Sequence, residues 1–416
     1  MIQTIFTIVG IFMTVCFSYQ VIYLLVGLFC KPRLSDKVID HRFAVLISAR
    51  NEENVIENLL NSINGQTYPS ELVDIYVVAD NCTDNTAEIS RRCGAIVYER
   101  FNKQQIGKGY ALDFLLSHIK DTKGEDYYDG YFVFDADNLL EPDFIEQMNK
   151  TFSSGYKIIT SYRNSKNYGS NWISAGYALW FLREARYLNN ARMILGTSCA
   201  VSGTGFLFHR DILKKHGGWK FFLLTEDIQF SISNISDGET IGYCHNAMLY
   251  DEQPETFRQS WTQRLRWAKG FLQVFRHYGA KLFLGIFKNK NHLACFDLSI
   301  TIMPIIFVTM LAIGTFVVGM IKAIITADPL IWSYVMIAAE AVLGAYMTFF
   351  VMGLVTVITE WKSINCTAPR KIGSLFTFPL YMFTWIPIGV VALFKKVEWK
   401  PIKHNVAKNL SDMKKK

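Results

Sequence analysis

The chain lacks the glycine signatures of the common nucleotide-binding folds. No Gly-x-Gly-x-x-Gly and no Walker loop occurs in its 416 residues, which argues against a dinucleotide or P-loop site. Its eight cysteines include no C-x-x-C pair, and no Cys/His cluster has zinc spacing. They read as buried thiols in a reducing compartment. Charge is scarce as well. Only 19% of residues are charged, against about 25% in a soluble domain, while 50% are hydrophobic. That balance excludes a disordered chain. Ten prolines and 27 glycines leave no room for a long low-complexity linker.

The net charge of +7 is unevenly spread. From Lys395 to Lys416, eight lysines stand against Glu398 and Asp412, leaving +6 in the tail. The rest of the chain is near neutral, so nothing predicts a nucleic-acid partner. A basic tail directly after an apolar run predicts either a bilayer-surface anchor or a solvated chain end.

The apolar residues are concentrated in runs. Residues 4–30 carry no charge and are long enough to cross about 30 Å of hydrocarbon. Nothing basic precedes them, which argues against a signal peptide, and Lys31 and Arg33 follow. The positive-inside rule then puts the following segment in the cytoplasm and the chain in the plasma membrane as a multi-pass protein. Two further runs, 294–321 and 330–358, flank a turn with Asp328 and Pro329. A fourth, 374–394, holds Pro379 and Pro387 and ends in Lys395. Four full crossings would leave the basic tail outside, whereas the charge rule puts it inside. The two prolines predict a re-entrant or interfacial segment. Asp297 and Glu340 fall within apolar runs, where a carboxylate lines a polar path or pairs between helices. Asp297 is near the end of its run and is expected at the interface.

The middle of the chain reads as globular. FAVLISA (43–49), VDIYVVAD (73–80), AIVYER (95–100) and YFVFDAD (131–137) alternate with helical patterns. This spacing predicts an α/β domain with a mainly parallel sheet. Ligands of such sheets sit beyond the C-terminal strand ends. Polar residues cluster there: Ser48–Glu53, Asp80–Asp84 and Asp135–Asn138. The expected organisation is a membrane helix (1–33), a catalytic domain (40–255), amphipathic interfacial helices (256–290), a membrane region (294–395) and a basic tail (396–416). Asn81-Cys82-Thr83 matches a glycosylation sequon but lies in the expected cytoplasmic domain.

Three motifs carry chemistry. Asp135-Ala136-Asp137 ends an apolar strand, where paired carboxylates hold Mg²⁺ or Mn²⁺ with diphosphate oxygens and waters. The same pair also suits a turn or helix cap. Thr225-Glu226-Asp227 follows an apolar stretch and equally suits a helix start. Gln263-Arg264-Leu265-Arg266-Trp267 lies in an amphipathic stretch, 256–276, that also fits a headgroup-level helix.

Taken in order, Asp80, Asp135-x-Asp137, Thr225-Glu226-Asp227 and Gln263-x-x-Arg266-Trp267 resemble the membrane-embedded family 2 glycosyltransferases. These include cellulose, hyaluronan and poly-N-acetylglucosamine synthases. The strings ADNCTDNTA (79–87), GKGYALD (107–113), VFDADN (133–138) and YRNSKN (162–167) look closest to the EpsO-like exopolysaccharide branch. The resemblance spans nearly the whole chain and implies a GT-A fold.

It also implies roles. Asp80 and the Ala49–Glu53 loop, with Arg50 and Glu52, would hold the uridine of a UDP-sugar. Lys108 and Arg266 would face the diphosphate. Asp135 would sit by the donor, with Asp137 on Mg²⁺ or Mn²⁺. Asp227, beside Glu226, would be the general base. Gln263 and Trp267 would meet the saccharide acceptor. Ser202-Gly203-Thr204-Gly205 stands where cellulose synthases carry an acceptor-binding Phe-Phe-Cys-Gly motif, which would put Gly203 at the acceptor, and its departure from that motif weakens a claim for cellulose itself. The implied activity is an inverting, processive β-glycan synthase coupled to secretion, leaning towards UDP-glucose. The alternative is a single addition to a lipid-linked acceptor. Export or accessory subunits are left open.

Overall fold

The computed structural model describes residues 2–34, 37–303, 305–326, 331–401, 404 and 406–414. At its centre is an eight-stranded sheet. The strands are β1 Phe43–Ala49, β2 Val73–Asp80, β3 Ile96–Arg100, β4 Gly130–Asp135, β5 Leu139–Leu140, β6 Ile158–Ser165, β7 Phe206–His209 and β8 Ile241–Asp251. Their order is β3-β2-β1-β4-β7-β6-β8-β5.

The near-continuous apolar run of β1 forms a strand covered on both faces. Phe43, Val45 and Ile47 join a core under the Ile56–Asn64 and Phe144–Ser153 helices. Ala44 and Leu46 point the other way, into the core shared with Lys108–Lys123. That alternation is the period of two of an extended chain. β1 pairs in parallel with both β2 and β4, and β2 with β3. The four strand ends therefore open on one edge. β7 runs antiparallel to β4 and β6, and β5 antiparallel to β8, so the sheet is mixed beyond β4.

Four segments are long and apolar enough to cross a membrane: Thr7–Phe29, Ile306–Ile325, Ile331–Thr359 and Ala368–Phe394. The 294–321 run is not one helix. It divides into His292–Ile302 and Ile305–Ile325. Asp297 on the first piece is not at an interface but fully enclosed, 1% exposed. Arg192 grips both its oxygens, at 2.7 and 2.8 Å, and Tyr19 and Tyr23 donate hydroxyls at 2.8 and 3.0 Å. The expected turn at Asp328 and Pro329 lies outside the described residues. Glu340 is exposed, beside outward-facing Val342 and Leu343, and lines neither cavity described below.

The last apolar segment breaks at Thr384 into Ala368–Phe383 and Trp385–Phe394. Arg264 stabilises the break, donating to Thr384 Oγ1 at 2.6 Å and to the Tyr381 carbonyl at 3.4 Å. Near one end Arg370 donates to the Gly169 carbonyl at 2.7 Å, and just past the other Val397 packs in a cluster with Leu265 of the Phe257–Lys288 helix. Parts of the tail beyond pack on the globular part. Val406 N–H donates to Glu252 at 3.0 Å, Lys408 to the Lys166 carbonyl at 2.8 Å, and Met413 packs on Leu139 and Tyr250.

Candidate active site

A cavity of about 320 Å³ opens where the ends of β1, β2 and β4 converge. Arg50, Glu52, Asp80, Lys108, Asp135, Asp137, Gly203, Glu226, Asp227, Gln263, Arg266 and Trp267 line it, whereas the side chain of Ala49 is buried in the core under β1. Only its carbonyl takes part locally, accepting from Cys82 Sγ.

Asp80 closes β2 and is 3% exposed. Arg100, at the end of neighbouring β3, donates to its Oδ1 at 2.6 Å, and Asn81 Nδ2 to the same atom at 3.0 Å. Asn81 adopts φ 53°, left-handed backbone that Asn tolerates better than most residues. Its carboxamide is spent on Asp80 and on the backbone of Asn102, so the sequon asparagine is committed within the loop.

Lys108 begins its helix and ties three motifs together. Its Nζ donates to Asp135 Oδ1 at 2.5 Å and to the Gly203 carbonyl at 2.8 Å. Burial alone would depress this amine, but the charges of Asp135, Glu226 and Asp227 outweigh it and raise the pKa. Gly203 holds φ +79°, which turns its carbonyl to Lys108, and its backbone also hydrogen-bonds Asp227. Gly205 has no room for a side chain: a Cβ would stand 1.9 Å from Leu249.

Glu226 and Asp227 form the first turn of the Glu226–Ser236 helix, where the helix dipole favours carboxylates. Burial opposes it, and both carboxyls are raised. Glu226 reaches about 7, through burial and then Asp227, against Lys108 and Arg266. For Asp227 burial leads, opposed by the Ile228 backbone and by Lys108.

Gln263, Arg266 and Trp267 arrive on the single helix Phe257–Lys288. Gln263 Oε1 and Arg266 Nε are buried without a hydrogen-bond partner among the described residues. Such orphaned groups inside a cavity wall are what a polar ligand satisfies. The Trp267 indole is held by edge contacts with Tyr177 and Phe181, centroids at 5.7 and 6.2 Å, and stacks with Trp385 at 6.4 Å.

Sequence reasoning missed several lining residues. Arg163 bonds Asp251 through Nε at 2.8 Å and also donates to the Ser202 carbonyl. Burial pushes the Asp251 carboxyl up to about 6 despite that arginine. Trp399 lies under the Arg50 guanidinium at 5.4 Å, and His404 meets Glu52 at 3.0 Å, so the tail covers the β1 side of the cavity. The one sequence signal for this was a tryptophan within an otherwise charged tail.

Asp135 and Asp137 both line the cavity, and Asp137 Oδ2 accepts from Glu252 N–H at 2.9 Å. Oxygen donors of this kind suit Mg²⁺ or Mn²⁺. Among the described residues no group of three or more His, Cys, Asp and Glu forms a ready metal cage. A cation held by Asp137 and Asp135 would therefore share its shell with diphosphate and water.

The family model described as "Glycosyltransferase like family 2" matches residues 41–270. The probable glycosyltransferase YdaM of Bacillus subtilis (strain 168) is 26% identical over 389 residues, covering 88% of this chain and 85% of that protein. A poly-β-1,6-N-acetyl-D-glucosamine synthase of Staphylococcus epidermidis is 27% identical over 55% of this chain and 54% of its own length. A β-monoglucosyldiacylglycerol synthase of Synechocystis sp. is 26% identical over 56% of this chain and 48% of its own length. The chain thus matches about half the length of each synthase. The mannosyltransferase PcManGT of Pyrobaculum calidifontis, solved with GDP-Man and Mn²⁺, shares the fold at TM-score 0.61. That likeness covers 95% of this chain and 99% of that one, at 16% identity. A GT-A sheet with its carboxylates gathered at the strand ends, and a family match over more than half the sequence, make this chain a hexosyltransferase of glycosyltransferase family 2.

Proposed function

We propose that the protein transfers a sugar from a UDP-sugar to a saccharide at the cytoplasmic face of the plasma membrane, inverting the anomeric centre and extending a β-linked glycan. The observation that carries this reading is one cavity joining Asp80, Lys108 and Asp135 at the strand ends to Asp227 and Trp267 on the flanking helices.

Each residue has a task that its surroundings support. Arg50, Glu52 and Asp80 bind the nucleoside end, where Arg100 fixes the Asp80 carboxylate. Lys108 and Arg266 place positive charge at the departing diphosphate. Asp137, with Asp135, would hold a divalent cation, which when bound would supply further positive charge there. Trp267 aligns the acceptor sugar, and alignment of two reactants removes much of the entropic barrier. Asp227 takes the acceptor's hydroxyl proton as its oxygen bonds the anomeric carbon. The bond from that carbon to UDP breaks on the opposite side.

A second reading is a single addition to a lipid-linked acceptor. It is favoured by the membrane hairpin, because no residue of Ile306–Ile325 or Ile331–Thr359 lines the cavity. Purified protein incubated with a panel of UDP-sugars tests both. UDP release with one donor, led by UDP-glucose, and a polymer product is the expected result. A product longer by one sugar selects the second reading. Release with no donor would overturn both.

A further inference from the structure

Glu184 is a carboxylate in the cavity wall that the proposed chemistry leaves unused. It opens the π-helical turn Glu184–Asn189, which continues the Trp172–Arg183 helix. Turns of this kind are rare and recur at functional sites. Trp180, four residues earlier, and Leu188, four later, line the same cavity. Phe181, Trp267, Phe271 and Trp385 add to its aromatic lining. Glu184 also borders a small polar cavity of about 10 Å³ shared with Ser161 and Thr204, the space of a single water.

Its charge has no direct partner. Among the described residues, no side chain donates a hydrogen bond to the Glu184 carboxylate. The guanidiniums whose charges reach it are Arg192, Arg163 and Arg183. Each is engaged elsewhere: Arg192 with Asp297, Arg163 with Asp251, Arg183 with Gln20 at 2.6 Å. Glu184 is only partly buried, so its oxygens face the cavity, where water or the hydroxyls of a ligand can donate to them. Indole faces beside an acceptor-only carboxylate match one chemistry well. A pyranose presents C–H faces to the rings and adjacent hydroxyls to the two oxygens.

We propose that Glu184 binds hydroxyl groups of the acceptor's terminal sugar, so that the acceptor is a saccharide end with a free diol rather than an alcohol with one hydroxyl. This rests on the transferase reading above and names its acceptor class. Asp227 accepts the proton of the attacking hydroxyl. Glu184 accepts hydrogen bonds from others on the same ring and sets its orientation. It is a positioning residue and takes no proton in the reaction.

The test is binding, measured without turnover. Full-length protein in detergent with UDP is titrated with cellobiose, gentiobiose and chitobiose, following tryptophan fluorescence. At least one disaccharide should bind the wild type. Glu184→Gln should weaken it roughly 10-fold or more, the scale of a lost charged hydrogen bond, with UDP affinity and melting temperature unchanged. Equal affinity in Glu184→Gln, or no disaccharide binding to wild type, overturns the proposal. Loss of UDP binding along with sugar binding also overturns it, because Glu184 would then merely balance the three guanidiniums. Should Glu184→Gln fail to fold, Trp180→Ala decides, since an unchanged sugar affinity there removes the subsite. Failure to release UDP from any UDP-sugar would defeat the transferase reading and leave this titration readable.

Discussion

His404 lies 352 residues from Glu52 in sequence, and its Nδ1 stands 3.0 Å from that carboxylate. Burial alone would lower the imidazole, but Asp137, Glu52 and Glu252 outweigh it and push it up to about 10. With Trp399 under Arg50, His404 fastens the tail across the Arg50 and Glu52 end of the cavity.

Trp399→Ala should raise the KM for the UDP-sugar roughly 2- to 30-fold, the range that a cation–π contact of about 0.5–2 kcal/mol allows. His404→Ala should act in the same direction. Steady-state UDP release checks both. An unchanged KM in both variants would make the tail a passive cover.

Asp227→Asn keeps shape and hydrogen bonding but cannot take a proton. Transfer should fall at least about 10²-fold, with UDP binding by calorimetry unchanged. If Asp227→Asn transfers normally and Glu226→Gln does not, the base is Glu226.

The raised carboxyl pair also fixes a pH dependence. A base works deprotonated, and Asp227 lies above the ordinary aspartate value of about 3.9. The kcat/KM should therefore be lost, as pH falls, well before that value is reached. Glu226, pushed up to about 7 by burial and by Asp227, is already neutral over the acid range, so Glu226→Gln should leave the acid limb in place. A limb that moves to lower pH would show that Glu226 is charged while Asp227 titrates.

EDTA should abolish transfer, and Mg²⁺ or Mn²⁺ should restore it, because Asp135 and Asp137 offer an oxygen-rich wall to the diphosphate. Full turnover in EDTA would leave Lys108 and Arg266 as the neutralising charges.

Asp297→Ala should destabilise the protein by about 3–5 kcal/mol, since it leaves Arg192 buried and unpaired. The melting temperature in detergent reports this. Tyr19→Phe removes one of four donors and should cost about 1 kcal/mol. Equal melting temperatures in Asp297→Ala and wild type would show that the pair contributes nothing net.

Much of this protein was legible in its order of residues. The first strands needed no partner to be recognised, because five to eight β-prone residues bounded by turn formers are a local pattern. Asp80, Asp135, Asp227 and Trp267 stood out for another reason: each motif alone also suits a turn, a helix start or a headgroup-level helix, and only their order along the chain resembles family 2 glycosyltransferases. Length and composition likewise marked the apolar segments. Tertiary structure decided what no local pattern carries. The partners of Asp80, Asp251 and Asp297 are guanidiniums from other elements, and the Tyr19 donor to Asp297 is 278 residues away. The same holds for the tail, whose lysines spell a membrane anchor in composition while Trp399 and His404 fold back on Arg50 and Glu52. A buried charge is stabilised by whichever opposite charge reaches it in space, and proximity in space is settled only when the sheet, the helices and the tail have packed.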